Sequence, residues 1–190
     1  MKTVWIVDGA YLFNCPLGKL DYLKLKDRIE LELGEEVFES YYLNSTPDPP
    51  NDRQDSFHTW LRSAPPRGPQ MRTQLYGLKT VNLKCYQCRQ PIDWTCPDCG
   101  TEVTQIKVQK GVDVGIATLV LKLALQDQYE RLILCAGDGD FEDAIAYVKS
   151  ECHKEIWICG FEDTVSTDLQ CYADRVVWLN DWWSDIERTS

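Results

Sequence analysis

No apolar run in the 190 residues approaches the roughly 20 needed to span a bilayer. There is no internal repeat and no low-complexity tract. The sequence lacks GxGxxG, which sets aside a dinucleotide-binding oxidoreductase, and it lacks a P-loop. Histidine is scarce: His58 and His153 are the two, they have no ligand-like spacing, and they read as ordinary residues. The opening residues, MKTVWIVDGAYLF, do not read as a secretory leader. Their apolar run is short, Asp8 interrupts it, and no small-residue cleavage site follows. The expectation is a cytoplasmic protein with no membrane partner. Acidic residues are missing from Ser56 to Ile92, where Arg62, Arg67, Arg72, Lys79, Lys84 and Arg89 fall. The whole chain nevertheless carries −10. That balance excludes a protein that simply coats nucleic acid and describes an acidic body with one basic arm.

What is present fits one α/β domain with a core of its own and room for a small insertion, since 44% of the residues are hydrophobic. KTVWIV at 2–7 is a near-continuous apolar run, as a central parallel strand covered on both faces requires. Helical spacing over 20–33 ends at Gly34. A second strand is predicted over 37–43, a loop over 47–51, a short helix over 52–61 and a third strand over 71–78. A strong helix over 112–125 follows, then strand 131–136, helix 141–151, strand 155–159, helix 166–173, strand 175–179 and a short tail, 180–190. Strands alternating with helices predict a mainly parallel sheet with helices on both faces. The helix from Val114 is apolar nearly all round, so deep burial is expected, with a subunit interface, hence a homodimer, as the second outcome.

Acids stand at the predicted element ends. Asp8 follows the first strand, Asp113 opens the long helix, and Asp138 and Asp140 flank Gly139 after strand 131–136. Each also has a purely structural reading: a turn at Asp8 and Asp138, a helix cap at Asp113 and Asp140. A doubly wound sheet brings all four to one edge, where ligands bind. Carboxylates held together repel each other, and oxygen-rich sites of this kind suit Mg²⁺ or Mn²⁺. Metal-assisted phosphodiester hydrolysis needs such an arrangement. A dehalogenase-type phosphatase would need DxD after the first strand, and here the sequence is Asp8-Gly9-Ala10.

VWIVDGAYLF, KGVDVGIATLVLKLA, LILCAGDGDFEDAIAYVK and STDLQCYADRVVWL resemble the four motifs of NYN domains, the LabA-like branch of the PIN-like nuclease superfamily. The resemblance covers nearly the whole chain apart from roughly 45–105. It implies a three-layer α/β/α, PIN-like (Rossmann-like) fold, Mg²⁺ or Mn²⁺, and RNA cleavage. It also implies that Asp8, Asp113, Asp138 and Asp140 hold the metal, and Lys110 is the candidate phosphate contact. Family members often carry Asn three residues after the first Asp. Tyr11 stands there, and Asn14 is the nearby candidate to replace it. Some members are regulatory, so the alternative to a ribonuclease is a weakly active or inactive RNA-binding protein.

Between the third strand and the long helix lie Cys85-x2-Cys88 and Cys96-x2-Cys99, seven residues apart. Paired knuckles of this spacing resemble a zinc ribbon, here over 83–103, with four thiolates for one structural Zn²⁺. Redox dithiols and an iron–sulfur cluster are the alternatives. The other five cysteines, 15, 135, 152, 159 and 171, read as buried thiols. Phe57, Trp60, Tyr76, Tyr86 and Trp94 interleave with the basic residues, the composition of single-strand binders. Arg67, Arg72 and Lys84 are the expected contacts to an RNA substrate.

Overall fold

The computed structural model describes residues 1–47 and 51–189, so most of the loop expected at 47–51 lies outside the described residues. In chain order the elements are β1 (Thr3–Asp8), α1 (Gly9–Phe13), α2 (Tyr22–Leu33), β2 (Glu39–Thr46), α3 (Asp52–Arg62) and β3 (Arg72–Gly77). An appendage follows: β4 (Lys79–Asn82), β5 (Trp94–Thr95), β6 (Glu102–Val103) and β7 (Gln105–Val108). The chain then resumes with α4 (Val112–Leu125), β8 (Arg131–Cys135), a 3₁₀ turn (Gly139–Phe141), α5 (Glu142–Ser150), β9 (Glu155–Gly160), α6 (Thr167–Tyr172), β10 (Arg175–Trp178) and α7 (Trp183–Ile186).

Six strands form one parallel sheet in the order β10-β9-β8-β1-β2-β3. The chain builds outward from β1 to β3, then returns to β1 and builds the other way. Parallel crossovers are right-handed, so this reversal puts the two sets of helices on opposite faces. Side-chain alternation divides the core accordingly. Val4, Ile6, Leu132, Leu134, Ile156 and Ile158 face α4, α5 and α6. Trp5, Val7, Ile133, Cys135, Trp157 and Cys159 face α2, α3 and α7. The result is the expected three-layer α/β/α fold.

Several boundaries move for physical reasons. β2 starts at Glu39 and carries Asn44, Ser45 and Thr46 into the sheet, because they pair with Leu75, Tyr76 and Gly77 of β3. Local hydrophobicity had placed its end at residue 43. The long helix is not deeply buried: Val112, Ile116 and Val120 pack inward, while Val114 is 70% and Leu125 65% exposed. The expected tail is part of the core. Trp182 and Ile186 are buried, the Arg28 guanidinium sits 4.2 Å over the Trp182 ring, and Leu20 pairs with Glu187.

Candidate active site at the reversal of the sheet

The direction of winding reverses between β1 and β8, and in open parallel sheets ligands enter the crevice at that point, beyond the carboxyl ends of the strands. Asp8 ends β1 and Asp138 follows β8. Both continue the parity of Ile6 and Leu134, whose side chains face α4, and Asp113 lies in the first turn of α4. Alternation along β1 therefore directs Asp8 toward the helix that carries Asp113, while Asp138 lies in the turn beyond the end of β8.

The structural roles of these acids differ from those expected. Asp8 caps α1, accepting hydrogen bonds from the backbone N–H groups of Ala10 and Tyr11 at 2.9 and 3.2 Å. Asp138 caps the 3₁₀ turn, accepting from the Asp140 N–H at 3.1 Å. Asp140 caps nothing, since α5 starts after Phe141 without a side-chain cap. Nor is Asp113 a cap: that position is Gly111, in the left-handed region at φ 89°. Burial pushes the Asp8 carboxyl above the ordinary carboxylate range; its two backbone hydrogen bonds oppose this, and the charges of Asp113 and Asp138 add to it. Burial also raises Asp113, together with Asp138 and Asp140. The four acids thus act on one another electrostatically. Even so, among the described residues no three His, Cys, Asp or Glu side chains stand close enough together to hold a metal ion. The all-oxygen donor set suits a hard divalent cation, but its spacing is open.

Glycines set the shape of the edge. A Cβ on Gly9 would stand 2.4 Å from Tyr42 Cζ, so the turn after Asp8 lies directly against the Tyr42 ring. A Cβ on Gly137 would stand 2.2 Å from the Thr164 carbonyl oxygen and 2.6 Å from Tyr11 Cε2. Tyr11 fills that slot and bonds to Thr164 Oγ1 at 2.6 Å. The residue at the family's Asn position is therefore a brace between α1 and the end of β9. Asn14 forms the exposed C-cap of α1. Tyr76, at the end of β3, covers Gly115: a Cβ there would lie 1.9 Å from the tyrosine hydroxyl oxygen.

The basic residues scatter. Lys110 is exposed, one residue after Gln109, whose Oε1 lies 3.1 Å from Ser45 Oγ at the carboxyl end of β2. It stands beside the acidic edge and makes no ion pair among the described residues. Arg67 lies in the turn between α3 and β3, toward the opposite edge. Arg72 opens β3 and is ion-paired with Glu39. Lys84 belongs to the appendage, in an isolated bridge with Pro91. In that appendage β4 pairs with β7 and β5 with β6, both antiparallel. Cys99 Sγ donates to Thr101 Oγ1 at 3.2 Å. Backbone N–H groups at Cys88 and Gln87 hold the Cys85 thiol below its ordinary range, and Thr101 does the same for Cys99. The knuckles form two thiol pairs. Of the aromatics expected on the arm, only Tyr86 (fully exposed) and Trp94 belong to the appendage; Phe57 and Trp60 pack on the core from α3. Among the remaining cysteines, Cys135 and Cys159 are buried, Cys15 and Cys152 half-buried, and Cys171 exposed, contrary to expectation.

Residue-by-residue reading passed over Ser166 and Asp168. A Cβ on Gly139 would stand 3.1 Å from Ser166 Oγ and 3.6 Å from Asp168 Oδ2, so both border the Asp138–Asp140 turn. The signal was present in STDLQ, as a cap before a helix, but nothing local tied that loop to the turn.

The NYN domain family matches residues 3–180, spanning every strand of the sheet and all four acids. The chain belongs to the NYN domain family. A 63-residue stretch is 35% identical to the Low amplitude and bright protein LabA of Synechococcus elongatus, covering 33% of this NYN domain and 33% of that protein. A solved structure of a protein of unknown function from Vibrio parahaemolyticus superposes with a TM-score of 0.67, at 20% identity, over 95% of this chain and 93% of that one. This likeness establishes the fold. No described helix of the NYN domain is long and apolar enough to cross a membrane.

Proposed function

We propose that this NYN domain is a divalent-metal-dependent ribonuclease that hydrolyses phosphodiester bonds in single-stranded RNA at the reversal of its sheet. One observation carries the reading: Asp8 at the end of β1, Asp138 after β8 and Asp113 in the first turn of α4 stand at the reversal of the sheet, and no ion pair among the described residues offsets their charge. Asp8, Asp113, Asp138 and Asp140 would hold Mg²⁺ or Mn²⁺. A divalent ion bound by them supplies an activated water and neutralises charge on the phosphate. The chain's own residues do the rest. Backbone N–H groups fix Asp8 and Asp138 in their turns. Lys110 offers a cation to the phosphate, and the appendage, rooted at the same edge, tracks the strand with Lys84, Arg89, Tyr86 and Trp94. The two thiol pairs, which stand apart in this structure, would hold one structural Zn²⁺ between them; an all-thiolate donor set suits that ion.

The open spacing of the acids favours a second reading, a regulatory RNA-binding domain with little or no activity. Cleavage of a labelled single-stranded oligoribonucleotide separates the two. A ribonuclease cleaves with Mn²⁺, stops in EDTA, and loses activity in Asp138→Asn, which retains a capping side chain. RNA binding without cleavage under any divalent ion establishes the regulatory reading.

A further inference from the structure

A groove of about 690 Å³ opens on the α2/α3/α7 face, between α3, the Leu20–Asp21 segment that leads into α2, and Arg188 after α7. Both α2 and α3 start at the carboxyl-end edge of the sheet that carries the acids, and the groove runs from there along α3 to Trp60. Phe57 and Trp60 line it, their rings 6.0 Å apart and inclined by 27°. Both are half-buried: Phe57 is packed among Tyr22, Tyr42 and His58, and Trp60 stacks on it toward the groove. Arg53 and Arg188 stand on its rim, exposed and without an ion pair among the described residues. The acids at its mouth both serve helix starts: Asp21 caps α2, accepting the N–H groups of Leu23 and Lys24. Asp52 sits in the first turn of α3, where the helix dipole favours it.

We infer that this groove docks an unstacked base of single-stranded RNA, with the Trp60 ring, backed by Phe57, against the base and Arg53 and Arg188 on the flanking phosphates. The inference rests on the ribonuclease reading of the acidic edge. Stacking surfaces combined with guanidinium groups are how sequence-tolerant single-strand sites are built. The groove is joined to the acidic edge through the core: the Phe57 ring lies 5.9 Å from that of the buried Tyr42, and Tyr42 lies against Gly9, the residue after Asp8. A second groove fits a polyanion less well: its four acids, Asp27, Glu30, Glu36 and Glu39, outnumber Lys26, Arg62 and Arg72, and Lys26 and Arg72 are ion-paired to Glu30 and Glu39.

The test is equilibrium binding of a fluorescent oligouridylate in EDTA, which separates binding from cleavage. Trp60→Leu is expected to weaken binding roughly tenfold, the size of one lost base–aromatic stack. Arg53→Ala with Arg188→Ala, both exposed side chains, should lower the slope of log affinity against log salt by about 1.4. A 2-aminopurine moved along the oligonucleotide should be quenched at one position in the parent and not in Trp60→Leu. If the parent binds RNA and neither variant differs from it, the groove is not the base site, while the ribonuclease reading stands. If the parent binds no RNA, that reading fails and this inference with it.

Discussion

The Tyr11 hydroxyl accepts a hydrogen bond from the backbone N–H of Phe161 at 2.9 Å. The two residues are 150 positions apart, and their contact ties the segment after β1 to the segment after β9 across the end of β8. Tyr11→Phe keeps the ring in its slot and leaves that N–H without its partner. The expected cost is about 1–3 kcal/mol in a urea denaturation series. Tyr11→Asn, which restores the family's usual residue, should cost more, because it also empties the slot beside Gly137. Equal stability of Tyr11→Phe and parent would remove the brace from the account.

Tyr76 and Gly115 make a second such pair, and a sign reversal tests it. In the parent, Gly115→Ala should destabilise, since the new methyl would stand 1.9 Å from the Tyr76 hydroxyl oxygen and the ring must move. With Tyr76→Leu in the background the same change should stabilise, by roughly 0.5–1 kcal/mol, because alanine is the better helix residue. Thermal melts of the four proteins give both signs. The same sign in both backgrounds would mean that the ring does not dictate the glycine.

The raised carboxyls set a pH dependence. Folding raises Asp113, so the folded state binds its proton more tightly than the unfolded chain does. Stability is therefore lost as pH climbs from the unfolded value, about 3.9, through the folded one. Asp113→Asn removes the loss. In EDTA at neutral pH the variant should melt above the parent, and the gap should close as pH falls below about 3.9. Adding Mn²⁺ should reverse the order, since the ion stabilises the parent by mass action. A variant that melts below the parent in EDTA, with both proteins indifferent to Mn²⁺, would show that the acids do not share a site.

For the appendage the expected outcome is about one Zn²⁺ per chain by elemental analysis, with Cys96→Ser losing the ion. Proteolysis should then cut between Lys84 and Thr101 while far-UV circular dichroism keeps most of the parallel sheet. Iron with sulfide, or no metal at all, would exclude the ribbon.

Much of this was legible in order along the chain. KTVWIV, RLILC and EIWIC are apolar on both faces, and only strands buried between two layers of helices need that. The α4 limits, 112–125, follow from apolar residues that begin after a glycine. The acid-bearing turns were visible for the same reason: each is a local feature, a run of apolar residues ended by glycine and aspartate. Periodicity and turn chemistry act within a few residues, so they survive without knowledge of the rest of the fold.

The tertiary structure decided what depends on distant partners. Asn44, Ser45 and Thr46 are strand residues because β3 lies beside them. Arg72 faces Glu39 and is withdrawn from the acidic edge, although in sequence it looks like any other cation of the basic stretch. Trp182 and Ile186 are core residues because α2 offers them a surface. Tyr11 braces the sheet because Gly137 and Gly160 leave room for its ring. Strand order, and with it the placing of Asp8, Asp113 and Asp138 at one edge of the sheet, comes from pairings such as Thr3 with Arg131, between segments far apart in the chain. Such pairings are chosen by the packing of whole faces against one another, a free energy shared by many residues and carried by no short stretch of sequence.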